Sequence, residues 1–149
     1  MIKWTKHAKL TIPGEPFGKQ VIAKSPFSQR RYIPKKTESY MGRIVVAWKT
    51  DWYVDLEPLR CAIRCDIWAY YGIPKSASKK KRAAMLADDV LPTKKPDRDN
   101  IAKVVGDALN GYAWHDDALI ASGVIEKRYA EIPRVEITIY KQEVKHGNE

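Results

Sequence analysis

Residues 94–120 read KKPDRDNIAKVVGDALNGYAWHDDALI. Ile101, Val104, Val105, Ala108 and Leu109 recur at i, i+3, i+4, i+7 and i+8, the pattern of a helix with one apolar stripe. Asp99 or Asn100 stands where an N-cap is wanted, and Gly111 can end the helix in the left-handed conformation. Asp97 and Asp99 precede the stripe as D-x-D. In an extended segment they point to one side, and Pro96 biases Lys95 toward extended geometry. Past Gly111 the chain is long enough to begin a return alongside the helix. A strand packed antiparallel to that helix would bring Asp116 or Asp117 back toward the D-x-D, and spacing does not choose between the two.

A helix N-terminus stabilises negative charge by about 0.3–1 kcal/mol. Two converging carboxylates still repel each other unless a cation intervenes. Mg²⁺ suits the pattern, since it takes oxygen ligands at about 2.0–2.1 Å and usually keeps several waters. The plainer readings are a helix cap for the D-x-D and a turn for the D-D. An EF-hand is excluded, because Ala102 and Ala108 stand where its glycine and final glutamate belong. His115 reads as a surface residue, because Mg²⁺ prefers oxygen, and Trp114 reads as core. Lys103 and Asp107 are spaced as an i, i+4 pair worth a few tenths of a kcal/mol. One turn inside the helix, Lys103 is also placed to offset charge on a phosphate.

Outward from this centre, residues 8–12 (AKLTI) read as a short strand ended by Pro13-Gly14. Residues 37–53 carry Tyr40, Ile44, Ala47 and Trp48 on one helical face, with Thr37 as a plausible N-cap. Residues 59–72 alternate as a strand: Cys61, Ile63, Cys65, Ile67 and Ala69 on one face, Arg64, Asp66, Trp68 and Tyr70 on the other. A short helix follows, started by Ser76 or Ser78. Residues 118–131 and 133–141 read as two strands in an antiparallel hairpin turning near residues 130–133. The tail from Gln142 is expected to fray. No internal repeat or domain boundary shows, so residues 1–149 are expected to form one domain.

The 149 residues are 44% hydrophobic, enough for a core, and carry a formal net charge of +9. That excess favours a polyanionic partner, nucleic acid above all. Lys19, Lys24, Arg30, Arg31, Lys35 and Lys36 lie among Phe17, Phe27, Tyr32 and Tyr40, and cations beside rings suit a polynucleotide. Lys79, Lys80, Lys81 and Arg82 open a helix where cations are locally unfavourable, which hints at an anion outside. No run of about 18 apolar residues exists and the N-terminus lacks a signal-peptide core, so a cytoplasmic location and no membrane partner are expected. On one strand face Cys61 and Cys65 would stand about 13 Å apart, beyond disulfide reach, and read as small core hydrophobes.

Residues 94–120 resemble the central motif of the RusA family of Holliday junction resolvases, common in prophages. The shared pattern is K-P-D-x-D-N, a helix with K and D-A-L-N, then W or Y, x, D-D and a strand. IPGEPFGKQ and PKSASKKKRAAMLADDVLPTKKPD extend the likeness over most of the chain. The resemblance implies an α/β fold of α+β type: one domain with a small mixed sheet flanked by helices. It implies a homodimer that cuts four-way DNA junctions with Mg²⁺, for which Mn²⁺ can substitute. The metal ligands it implies are Asp97, Asp99 and Asp117, and Lys103 matches the family's functionally important helix lysine. The chain departs from the pattern after GKQ, where Val21, Ile22 and Ala23 replace an R-P-R run; Lys24, Arg30 and Arg31 would substitute. The expected function is symmetric nicking of four-way junctions in DNA recombination and repair. Its rivals are a non-catalytic protein that binds branched DNA and a nuclease that prefers other branches, such as flaps.

Overall fold

The computed structural model describes residues 1–20, 33–51 and 55–144. Lys24, Arg30 and Arg31, the expected helix end at residues 52 and 53, and the tail from residue 145 lie outside them. Strand β1 (Trp4–Pro13) is followed by helix α1 (Lys35–Thr50), strand β2 (Ile63–Gly72), and helices α2 (Lys79–Leu86) and α3 (Arg98–Leu109). A single 3-10 turn (Asp117–Leu119) then leads into strands β3 (Ile120–Ser122), β4 (Ile125–Ala130) and β5 (Arg134–Gln142). Among the described residues no helix is long and apolar enough to cross a membrane.

The sheet is mixed, as expected for an α+β domain. Its order is β1-β5-β2, with β3 and β4 both against the far side of β2. β5 runs antiparallel to β1 and to β2, whereas β3 and β4 run parallel to β2. A parallel pair needs a crossover, and α3 lies within the one supplied here. Ala8, Leu10 and Ile12 of β1, Val135, Ile137 and Ile139 of β5, and alternate residues of β2 share one core with Tyr40, Ile44 and Trp48 of α1 and the apolar stripe of α3. On the opposite face Arg64 lies over Tyr140, Arg128 over Trp68 and Arg134 over Tyr70.

The expected hairpin of the last two strands is not formed, because β2 lies between them. Residues 131–133 cross over its end instead. Three extended residues reach about 10 Å, two strand spacings. Gly72 stands under the crossing: a Cβ there would meet Glu15 and come within 3.7 Å of Pro133 Cγ. The edge beside β2 is broken at Gly123 (φ +144°), whose backbone presses against that of Cys65. Asp66 closes the break by accepting from Val124 N at 3.1 Å, while Arg64 Nη2 holds its other oxygen at 3.0 Å.

Other expectations shift at the edges. β1 is longer than residues 8–12, and β2 begins at Ile63, so Cys61 precedes it. Both cysteines are free, and burial pushes the Cys65 thiol up to about 12. Ser78, not Ser76, caps α2 by accepting from Lys81 N at 3.2 Å. Thr37 is not the cap of α1, which begins at Lys35 after Pro34. It is fully buried, with a hydroxyl that has no hydrogen-bond partner among the described residues. Such a group carries a desolvation penalty without compensation. Thr37→Val is therefore expected to stabilise the protein by about 1 kcal/mol in urea unfolding; a loss of stability would show that the hydroxyl is satisfied.

Candidate active site

Helix α3 organises the acids. It starts at Arg98, so Asp97, rather than Asp99 or Asn100, takes the N-cap place, and its side chain makes no capping hydrogen bond. Asp99 is already helical. The same-side argument for D-x-D in an extended segment therefore does not apply, and both carboxylates are exposed at the helix start. Asp99 has Lys103 Nζ at 3.9 Å, with both side chains largely in solvent. The expected Lys103–Asp107 pair is not made. Asp107 Oδ2 instead takes Lys19 Nζ at 2.6 Å.

Lys19 reaches Asp107 because the segment after β1 lies across α3. Its backbone N–H donates to Asn100 O at 3.0 Å. Beside it, a Cβ at Gly18 would stand 2.7 Å from Pro96 Cβ, so glycine permits the close approach. The crossing leaves an open groove of ≈ 430 Å³ where Phe17 and Lys19 face Asp97 and Asn100.

Asp117 comes back to the same helix. Gly111 (φ +82°) turns the chain, and Trp114, fully buried, anchors the return. Its indole N–H donates to Gly106 O at 3.2 Å and Asn110 Oδ1 at 3.1 Å; that same Oδ1 accepts from Asp117 N at 2.9 Å. A Cβ at Gly106 would lie 3.2 Å from Asp117 Oδ2, so the carboxyl rests on the helix where a side chain is missing. Burial first, then the hydrogen bond shared with Asp116 and the charge of Asp107, hold the Asp117 carboxyl above the usual range. Asp116 is engaged elsewhere. Its Oδ1 caps the 3-10 turn, accepting from Ala118 N at 2.9 Å, and that bond leads in lowering its pKa.

The acids thus stand in two groups. At about 1.5 Å per residue, Gly106 lies roughly 13 Å along the axis from Asp97. Among the described residues no three His, Cys, Asp or Glu side chains come together closely enough to hold a metal ion. Asp97, Asp99, Lys103 and Asp117 do share one helix and its return.

Lys127 belongs beside the first group and was missed in the sequence. It lies on β4 between Ile125 and Tyr129, which pack against the core. Its ammonium donates to Lys94 O at 2.6 Å and sits 5.2 Å from the Tyr71 ring centre. Burial lowers its pKa, and the negative charge of Asp97 opposes that shift. The available signal was a lone lysine at period two on the apolar face of a strand. Of the expected DNA-contact residues, Lys35, Lys36, Lys79, Lys80 and Lys81 are exposed, and Arg82 pairs with Glu131 at 3.3 Å.

Comparison with known proteins gives two findings. The model of a family described as Endodeoxyribonuclease RusA matches residues 13–140. The chain is also similar to the Uncharacterized protein YqaN of Bacillus subtilis (strain 168), 40% identical over 79 residues, 52% of this chain and 56% of that protein. The chain thus spans little more than half the length of the curated relative it matches.

Proposed function

Because the chain belongs to the RusA endodeoxyribonuclease family, we propose that it is a Mg²⁺-dependent nuclease that resolves four-way DNA junctions by symmetric nicking, as a homodimer, in recombination and repair. The family match carries the nuclease class. Within the site, the supporting observation is Asp117 resting on Gly106 of the helix whose start carries Asp97 and Asp99.

The donors fit the ion in kind but not in spacing: Asp117 rests on Gly106, roughly 13 Å along the helix from Asp97, so one ion would have to draw the two groups together. The donors are all carboxylate oxygens, and Mg²⁺ is usually held by one or two carboxylates with waters and substrate phosphates rather than by a closed protein cage. The exposed Asp97 carboxylate, which makes no capping hydrogen bond, and the crowded Asp117 carboxyl both favour a nearby cation. Asp97, Asp99 and Asp117 would hold Mg²⁺ or Mn²⁺, which supplies Lewis-acid polarisation of the phosphate and a more acidic water. Lys103 offsets charge developing on phosphate. Exposed lysines on α1 and α2 grip the backbone, which positions the DNA by shape rather than sequence. Two copies related by a two-fold axis would place two sites on two symmetric strands.

The test is nicking of a synthetic four-way junction with Mg²⁺, beside flap and linear duplexes. Paired nicks in the junction alone support a resolvase. Binding without product would indicate a non-catalytic protein, and preferred flap cutting another branch nuclease. Gly106→Ala separates site geometry from stability. Alanine gains up to about 1 kcal/mol of helix propensity over glycine, while its methyl displaces Asp117 by a few tenths of an ångström. Nicking should fall roughly tenfold with the melting temperature held or raised. An unchanged rate would mean that the seat of Asp117 is not critical.

A further inference from the structure

The geometry points to Lys127 as a further catalytic residue, whose ammonium binds a non-bridging oxygen of the phosphate cut beside Asp97. This rests on the nuclease reading above. The side chain leaves β4 on the core side, in line with Ile125 and Tyr129, and is half-buried. A lysine placed so gives up hydration, and a purely structural one is usually paired. Here the partners are a neutral carbonyl, Lys94 O at 2.6 Å, and the face of Tyr71. Among the described residues no carboxylate lies within ion-pair distance of its ammonium.

The location gives that charge a use. The Tyr71 hydroxyl donates to Pro96 O at 2.9 Å, immediately before Asp97, and the Asp97 carboxylate acts on both Tyr71 and Lys127. Ring and ammonium are therefore tied to residues 94 and 96, just before the proposed metal ligand at the start of α3. A phosphate drawn to a cation at Asp97 would approach the segment, residues 94–97, on which the Lys127 ammonium sits. Exchanging a carbonyl for a phosphate oxygen replaces a neutral acceptor by a charged one, roughly doubling the strength of the bond. Lys103 contrasts with it, being solvent-exposed and facing Asp99. The two lysines approach the D-x-D from the sheet and from the helix.

The test compares Lys127→Met and Lys127→Arg with wild type on a synthetic four-way junction. Nicking with Mg²⁺ by Lys127→Met should fall on the order of 10²-fold at an unchanged melting temperature. In EDTA, where nothing is cut, the slope of log affinity against log salt should shrink by about 0.9, one lost phosphate contact. Lys127→Arg should restore the slope and part of the rate. An unchanged slope and rate in Lys127→Met would overturn the proposal. So would a rate that falls only in step with melting temperature, the mark of a structural tie between β4 and residue 94. If wild type nicks nothing, the resolvase reading fails, while the salt slope in EDTA still decides whether Lys127 touches phosphate.

Discussion

Asp117→Asn is expected to slow nicking on the order of 10³-fold and yet leave the protein slightly more heat-stable at neutral pH. The first effect follows if Asp117 is the charged metal ligand proposed above, whose loss removes several kcal/mol of transition-state stabilisation at about 1.4 kcal/mol per tenfold. The second follows from the raised pKa of Asp117. A carboxyl whose folded pKa exceeds its unfolded value contributes stability that is complete below the unfolded value and lost as pH rises through the folded one. At neutral pH that stability is gone in wild type, whereas asparagine carries no such titration. The gap in melting temperature should shrink as pH falls below neutral and vanish below the ordinary aspartate value of about 3.9, as wild type regains the proton. Calorimetry at both ends, beside the nicking assay, checks this; a variant that melts lower at neutral pH would make the carboxylate structural. Asp116→Asn should lose far less activity, since its amide oxygen can still accept from Ala118 N.

Gly123→Ala is expected to cost at least about 3 kcal/mol, roughly 6–12 °C in melting temperature. Two effects add. The φ of +144° is one that L side chains rarely adopt, and a Cβ there would meet the Cys65 carbonyl oxygen at 1.9 Å. Neither backbone can yield easily. β3 pairs with Ile63 and Arg64 on one side of the break, and Ile67 N donates to Val124 O at 2.9 Å on the other. Thermal unfolding checks it, and a shift under about 2 °C would show that the edge gives way freely.

The parts that sequence made legible are those encoded by local period. The stripe of α3, the alternation of β2 and the left-handed turn at Gly111 follow from spacing and residue type. Strand partners do not. Residues 131–133 are the right length for a hairpin, and equally for a step across one strand, so nothing local separates β4 next to β5 from β4 beyond β2. The acids were legible as types, less so as geometry. The spacing of Asp97 and Asp99 suits extended neighbours, but the helix begins between them. Asp116 and Asp117 look alike in a sequence, whereas in the fold one caps a turn and the other rests on Gly106. Lys127 carried a weaker signal, because one lysine on a strand resembles any surface cation until Tyr71 and residue 94 come beside it.

The position of β5 bears on how the protein comes into being. It comes last among the described strands, yet it lies between β1 and β2, which do not pair with each other. A growing chain has therefore made Asp97, Asp99, Lys103, Asp117 and Lys127 before it can assemble the sheet that holds them. Folding must wait for residues 134–142 to insert between two strands far apart in sequence, a slow, long-range closure. Chains cut short before Arg134 should be unfolded and inert rather than weakly active. In a cell, that order of events would keep the proposed nuclease activity out of incomplete copies.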